Sequence, residues 1–333
     1  MIHTRRIVAA FISAAFLTAV FATGVANAQG KPNEGKTNEG KTNEGKTNER
    51  TSDKLKVVAS FSVLGDLLRE IGGERISLTT LVGANADAHV YNATPSDAKA
   101  VAEAQAIVLN GLKFEGWMDR LVKSSAAKAT QIVASKGVKT LTVTAGHGHG
   151  HDHGGSADPH AWQDVSNVKL YVANIRDGLI AADAAGRAVY EANAAAYLQR
   201  LDALDVEIRS MLAPIPQAER KVITGHDAFG YFAKAYGVRF IAPKGVSTAA
   251  EASAKDVAAL IRQAKAEKVR AVFMENITNP KLAEQIARET GARLGGRLYS
   301  DALSETSGEA GTYIDMMRHN IRQITGALGA GPA

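Results

Sequence analysis

Ala184 to Leu212 reads AAGRAVYEANAAAYLQRLDALDVEIRSML, and in it Tyr190, Ala194, Tyr197, Leu201, Leu204, Ile208 and Met211 recur at intervals of 4, 3, 4, 3, 4 and 3. That spacing puts all seven on one face of a helix. At 1.5 Å per residue such a helix is roughly 40 Å long. A heptad seam also fits a coiled-coil dimer. Here, however, strand-and-helix sequence lies on both sides, so the expectation is a rigid connector packed along two lobes of a monomer.

On the N-terminal side, Leu55–Ala59, Ile76–Val82, Ile107–Leu109 and Thr140–Thr144 read as strands, with helices over Val63–Ile71, from Thr94-Pro95, and over Gly116–Val122. Thr94 supplies a hydroxyl N-cap and Pro95 suits the first helical position. On the C-terminal side, Lys221–Thr224, Arg239–Ile241, Ala271–Met274 and Arg297–Ser300 read as strands. Helices are expected over Phe229–Tyr236, from Ser253 to Ala266, from Asn279-Pro280 to Gly291, and from about Gly311 to Leu328. Strands alternating with helices imply parallel βα units. The expected fold is therefore α/β: one parallel-sheet lobe over 54–182, a linking helix over 183–213, and a second lobe over 214–330.

The N-terminus reads differently. Arg5 and Arg6 precede an apolar run from Ile7 to Val25, and Ala26-Asn27-Ala28 fits a small-x-small cleavage site, so residues 1–28 are expected to be an export signal. Residues 29–53 contain KPNEG, KTNEG, KTNEG and KTNER, which bury nothing apolar and read as a disordered tether. The formal charge of +5 drops by the two arginines once the signal is removed, too little and too dispersed for a nucleic-acid partner. With no cysteine in the chain, a freely soluble periplasmic protein without a thiol-linked lipid is expected, held together by its core.

Five of the nine histidines fall in Gly146–Trp162, GHGHGHDHGGSADPHAW. Imidazole is the commonest side-chain metal ligand, and the alternating run is the first candidate site. Open α/β sheets, however, bind ligands beyond the carboxyl ends of their strands. Four residues satisfy that rule: His89, His160, His226 and Asp301, two from each lobe. Each alone has a plainer reading, an exposed loop histidine or a turn-capping aspartate. Their joint placement favours ligation in the cleft. His319 sits within a helix and reads as structural.

These residues carry a resemblance that spans about Lys54 to Leu328. Asp87-Ala88-His89-Val90-Tyr91-Asn92-Ala93-Thr94-Pro95-Ser96-Asp97 is similar to the first-ligand loop of the zinc/manganese-binding solute-binding proteins of ABC transporters. Asp158-Pro159-His160-Ala161-Trp162 resembles that family's DPHxW signature, His226-Asp227-Ala228-Phe229-Gly230-Tyr231-Phe232 its third-ligand segment, and Tyr299-Ser300-Asp301 its fourth. The resemblance implies two lobes joined by one long helix, one buried metal ion between them, and delivery to a membrane permease. A periplasmic metallochaperone is a further conceivable partner. One departure is that the first loop reads Ala-Asp-Ala-His where Asp-Pro-His is commoner.

The family's manganese-selective members usually carry glutamate where this chain has His226. Three imidazoles and one carboxylate suit Zn2+, whereas Mn2+ prefers oxygen; a bidentate Asp301 would still admit manganese or iron. The rival class is a zinc-dependent hydrolase with an open coordination position. Asp301 fills that position, and no HExxH motif supplies a base. The flexible run His147, His149, His151 and His153, within the histidine-rich loop 146–157, is expected to be an accessory, low-affinity collector, because ordering its glycines opposes tight binding. Deleting residues 147–153 should leave one tight ion per chain by calorimetry; loss of tight binding with the loop would put the main site in the wrong place.

Overall fold

The computed structural model describes residues 54–143 and 156–329. The expected export signal, the repeat tether and the run His147–His153 lie outside the described residues. All described residues fall in one compact unit.

The first lobe begins with β1 (Leu55–Phe61), α1 (Ser62–Gly72), β2 (Ile76–Val82), α2 (Pro95–Glu103), β3 (Ala106–Leu109), α3 (Met118–Ser124) and β4 (Thr130–Val133). Its sheet runs in the order β2-β1-β3-β4, with every pairing parallel. A parallel sheet buried on both faces needs nearly continuous apolar strands, and Val57, Val58, Ala59 and Phe61 of β1 are all buried. Helix α2 opens as expected: Thr94 accepts from the Asp97 N–H at 3.3 Å while Asp97 accepts from the Thr94 N–H at 2.7 Å, a reciprocal capping box.

The fourth strand of this sheet is not the expected Thr140–Thr144. Thr130–Val133 takes that place, although only Ile132 of it is buried. Thr142–Val143 forms instead β5 of a two-stranded antiparallel hairpin with β6 (Ser156–Ala157). The alternation of β-branched residues there is real, but its partner is local.

Two long helices follow. Helix α4 (Val165–Ala182) is capped by Asp164, which accepts from the Ser166 N–H at 2.8 Å. Helix α5 (Arg187–Leu212) is the expected connector, with a short 3-10 turn over Ala184–Gly186 before it. Tyr190, Ala194, Tyr197, Leu201, Leu204 and Ile208 are buried along it, but Leu212 rather than Met211 closes the seam. A straight α-helix drifts about 20° per heptad against a strict seven-residue repeat, so by the last turns the buried position has moved on by one residue. The seam is covered within the chain, by α1 and α4 on one side and α9 on the other, which removes the case for a coiled-coil dimer.

The second lobe comprises β7 (Lys221–Ile223), α6 (Gly230–Tyr236), β8 (Arg239–Ile241), α7 (Ala254–Ala266), β9 (Ala271–Glu275), α8 (Pro280–Thr290), β10 (Arg293–Leu298) and α9 (Tyr313–Gly329). Its sheet order is β10-β9-β7-β8, again all parallel. Ser253 caps α7 and Asn279-Pro280 starts α8, which ends at Gly291 with φ 73°, as expected. Strand β10 starts and ends earlier than Arg297–Ser300, so Asp301 sits in the loop after it. One face of this sheet joins the main core through Val222, Phe273 and Leu298; the other packs Ile223 and Val272 with Leu260, Ile261 and Ile286 into a smaller core under α7 and α8. Among the described residues, no helix is long and apolar enough to cross a membrane.

Leu201 is fully buried at the middle of α5. Leu201→Ala is expected to cost about 2–5 kcal/mol of stability, read from urea unfolding; a midpoint like wild type would contradict the role given to the seam.

Candidate metal centre

The structure brings His89, His160, His226 and Asp301 together, with one donor atom from each lying within 4.8 Å of the others. His89 lies in the loop after β2, and His226 three residues after β7. His160 follows the β5–β6 hairpin rather than a sheet strand, and Asp301 follows β10. His160, His226 and Asp301 have no solvent exposure, and the His89 side chain has 5 %.

The three Nε2 atoms converge on one carboxylate. His226 Nε2 is 3.1 Å and His89 Nε2 3.3 Å from Asp301 Oδ2, while His160 Nε2 is 3.5 Å from Oδ1. His89 Nε2 and His160 Nε2 are 3.3 Å apart. A tetrahedral ion with ligand bonds of 2.0–2.1 Å spaces its donors by roughly 3.3 Å, so these edges fit a divalent ion. Asp301 Oδ1 is buried without a hydrogen-bond partner, and a buried carboxylate oxygen of that kind calls for a cation.

The outer partners orient the rings. His160 Nδ1 is 2.8 Å from Asp158 Oδ1, which also accepts from the His160 N–H at 2.9 Å. With Nδ1–H donating to Asp158, the Nε2 lone pair faces the centre. His226 Nδ1 lies 2.6 Å from Glu275 Oε2, a close charge contact without good hydrogen-bond alignment. The other Glu275 oxygen accepts from the N–H groups of Gly225 and His226 at 2.6 and 3.0 Å. Among the described residues, no carboxylate plays this part for the Nδ1 of His89; the backbone N–H of His89 donates to Asp87 at 2.9 Å. Asp301 is held through the preceding carbonyl: Trp162 Nε1 and Gln163 Nε2 both donate to the Ser300 oxygen, at 2.9 and 2.8 Å. Phe114 and Trp162 wall the rings of His89 and His160 at centroid distances of 4.7 and 5.3 Å.

Sequence reasoning finds the four donors but misses Glu275 and Phe114. Glu275 carries a usable signal, since it is the one acidic residue ending an otherwise apolar strand, AVFME, at the carboxyl edge where ligands bind. Phe114 carries none, being one aromatic residue in an irregular loop.

Burial disfavours charge on His160, yet the Asp301 charge and the Asp158 hydrogen bond outweigh it and push its pKa up to about 9. His226 is likewise raised well above 6.5, against burial, by Glu275 and Asp301. Burial opposes ionisation of Asp301, but His226 and His160 hold its carboxyl well below the usual range. Without a cation, the pocket thus carries protons in its place.

These are the features of the two-lobed substrate-binding components that capture divalent metal ions for ABC transporters. The chain belongs to the family of ZnuA, the periplasmic component A of the zinc-uptake complex, whose profile matches residues 57–327. It is 35% identical over 274 residues to the manganese-binding lipoprotein MntA of Halalkalibacterium halodurans, covering 82% of this chain and 88% of that one. Against the iron-binding protein YfeA of Yersinia pestis it is 32% identical over 279 residues, 84% of this chain and 88% of the other. Among solved structures, the periplasmic zinc-binding protein TroA of Treponema pallidum superposes with a TM-score of 0.75 at 30% identity, covering 83% of this chain and 99% of TroA. The chain is therefore an extracytoplasmic metal-binding component of an ABC transporter, a family that works with a membrane permease and is not a family of enzymes.

Because His160 and His226 hold protons at neutral pH, an ion entering this centre must displace them. Loading at pH 7 is expected to release about two protons per ion, read by calorimetry in buffers of different ionisation heat. Affinity should rise with pH at least up to about 9, where His160 loses its proton. Ion binding without proton release would contradict this electrostatic picture.

Proposed function

We propose that this protein captures Zn2+ in the periplasm with His89, His160, His226 and Asp301 and delivers it to the permease of an ABC importer. The observation that carries the reading is the donor set: three Nε2 atoms and one carboxylate, with His226 facing Asp301 at 3.1 Å. Imidazole-rich, four-donor surroundings suit zinc, whereas manganese is better served by oxygen and by more ligands. Imidazoles fixed by Asp158 and Glu275 are also more basic donors, and the aromatic wall around His89 and His160 strengthens their electrostatics by excluding water.

Manganese or iron is the second reading. It is favoured by the relatives MntA and YfeA and by the reach of both Asp301 oxygens, Oδ2 toward His226 and Oδ1 toward His160.

Around this centre, residues 1–28 serve export and residues 29–53 act as a tether. The absence of cysteine supports release without a thiol-linked lipid, although MntA is named a lipoprotein, and the seam of α5 covered within the chain supports a monomer. His147, His149, His151 and His153 collect ions weakly and pass them inward, and a periplasmic metallochaperone would be an alternative supplier.

Stripped protein titrated with Zn2+ and Mn2+ in competition tests the metal. Zinc is expected to occupy the one tight site and to displace manganese at about a hundredfold lower concentration. Equal competition, or displacement of zinc by manganese, would move the assignment to the second reading.

A further inference from the structure

Asp158 orients His160, and part of what holds Asp158 comes from the other lobe. Tyr231, in the first turn of α6, places its hydroxyl between the two sides of the β5–β6 stem. It accepts from the Leu141 N–H at 3.1 Å and donates to the Asp158 carbonyl at 3.0 Å. The stem is closed beside it by the Asp158 N–H donating to the Leu141 carbonyl at 2.8 Å. The carboxylate end of Asp158 is seated on the same helix: a Cβ at Gly230 would stand 2.6 Å from Asp158 Oδ2, so only glycine allows this approach. Both Tyr231 and Asp158 are buried, at 2 % exposure each.

We propose that Tyr231 is a positioning residue for His160, acting through Asp158, an inference that rests on the reading of His160 as a zinc ligand. Tyr231 stands five residues after His226 on one short segment, His226 to Tyr231. That segment therefore supplies one ligand directly and sets the orientation of a second across the cleft. Removing the hydroxyl leaves the buried Asp158 carbonyl and the partly buried Leu141 N–H short of partners, a strained state relieved by shifting Asp158. The charge-assisted contact from Asp158 to Nδ1 depends steeply on geometry, so the shift reaches Nε2 and the ion. Displacing α6 from the first lobe would then loosen His226 and His160 together, and the ion would leave in one step rather than ligand by ligand.

The measurement is release of zinc from the full chain, loaded with one equivalent, to a chromogenic chelator in a stopped-flow instrument. Tyr231→Phe is expected to release zinc about tenfold faster than wild type. Asp158→Asn should also be faster, and the double variant no faster than Asp158→Asn alone, because both changes act on one path. Gly230→Ala, which crowds Asp158 while keeping Tyr231, should speed release as well. Tyr236 lies on the same helix and donates to Asp205 at 3.0 Å, far from this path; Tyr236→Phe should release zinc at the wild-type rate despite losing a comparable hydrogen bond. A wild-type rate for Tyr231→Phe, or independent multiplying effects of Tyr231→Phe and Asp158→Asn, would overturn the inference. Failure of the ligand assignment reads differently: His160→Ala would then hold zinc as tightly as wild type.

Discussion

The structure depends on one fully buried carboxylate. Asp301 has no solvent exposure, and its neighbours within 3.5 Å include the Nε2 atoms of three histidines. A lone carboxylate in that position would carry a prohibitive desolvation cost. It is tolerated because cations stand beside it: imidazolium protons when no ion is bound, a divalent ion when one is. Under the proposed function, loading exchanges these protons for a metal ion. His160 and His226 each have a second carboxylate behind them, Asp158 and Glu275, and these keep the rings aimed at the centre through the exchange.

The two lobes make this arrangement mechanically specific. Helix α5 packs against elements of both lobes, and the loop before Asp301 is gripped by Trp162 and Gln163 of the first lobe. The Tyr313 hydroxyl donates to the Trp162 carbonyl, and Ser62 accepts from the Leu303 N–H. Asp301 is therefore anchored to the first lobe, although its strand belongs to the second. The segment carrying His226 is tied to both cores: Ala228, Phe229, Tyr231 and Phe232 belong to the main core, while Ile223 just before it lies in the smaller core under α7 and α8.

Much of this was legible in the sequence, because the period of the apolar residues and the chemistry of the caps are local. The seam of α5, the capping box at Thr94 and the Asn279-Pro280 start of α8 all follow from neighbouring residues. Helix α4 is equally legible, since Val165, Val168, Tyr171, Val172, Ile175 and Leu179 fall on one face and are buried along it. Strand β4 was not legible: one buried residue gives no alternation, and its place is fixed by β3. The four candidate donors were found by strand-end position and by resemblance. Glu275 was legible only as an acidic residue at a strand end, and Phe114 and Tyr231 not at all, since their roles exist only once distant segments meet.

X-ray absorption at the zinc edge, on the full chain loaded with one equivalent of Zn2+, tests the central claim most directly. The account predicts a four-coordinate shell of three imidazole nitrogens and one carboxylate oxygen at about 2.0 Å, converting to two imidazoles in His226→Ala. A six-coordinate shell dominated by oxygen, or a shell indifferent to His226, would contradict it.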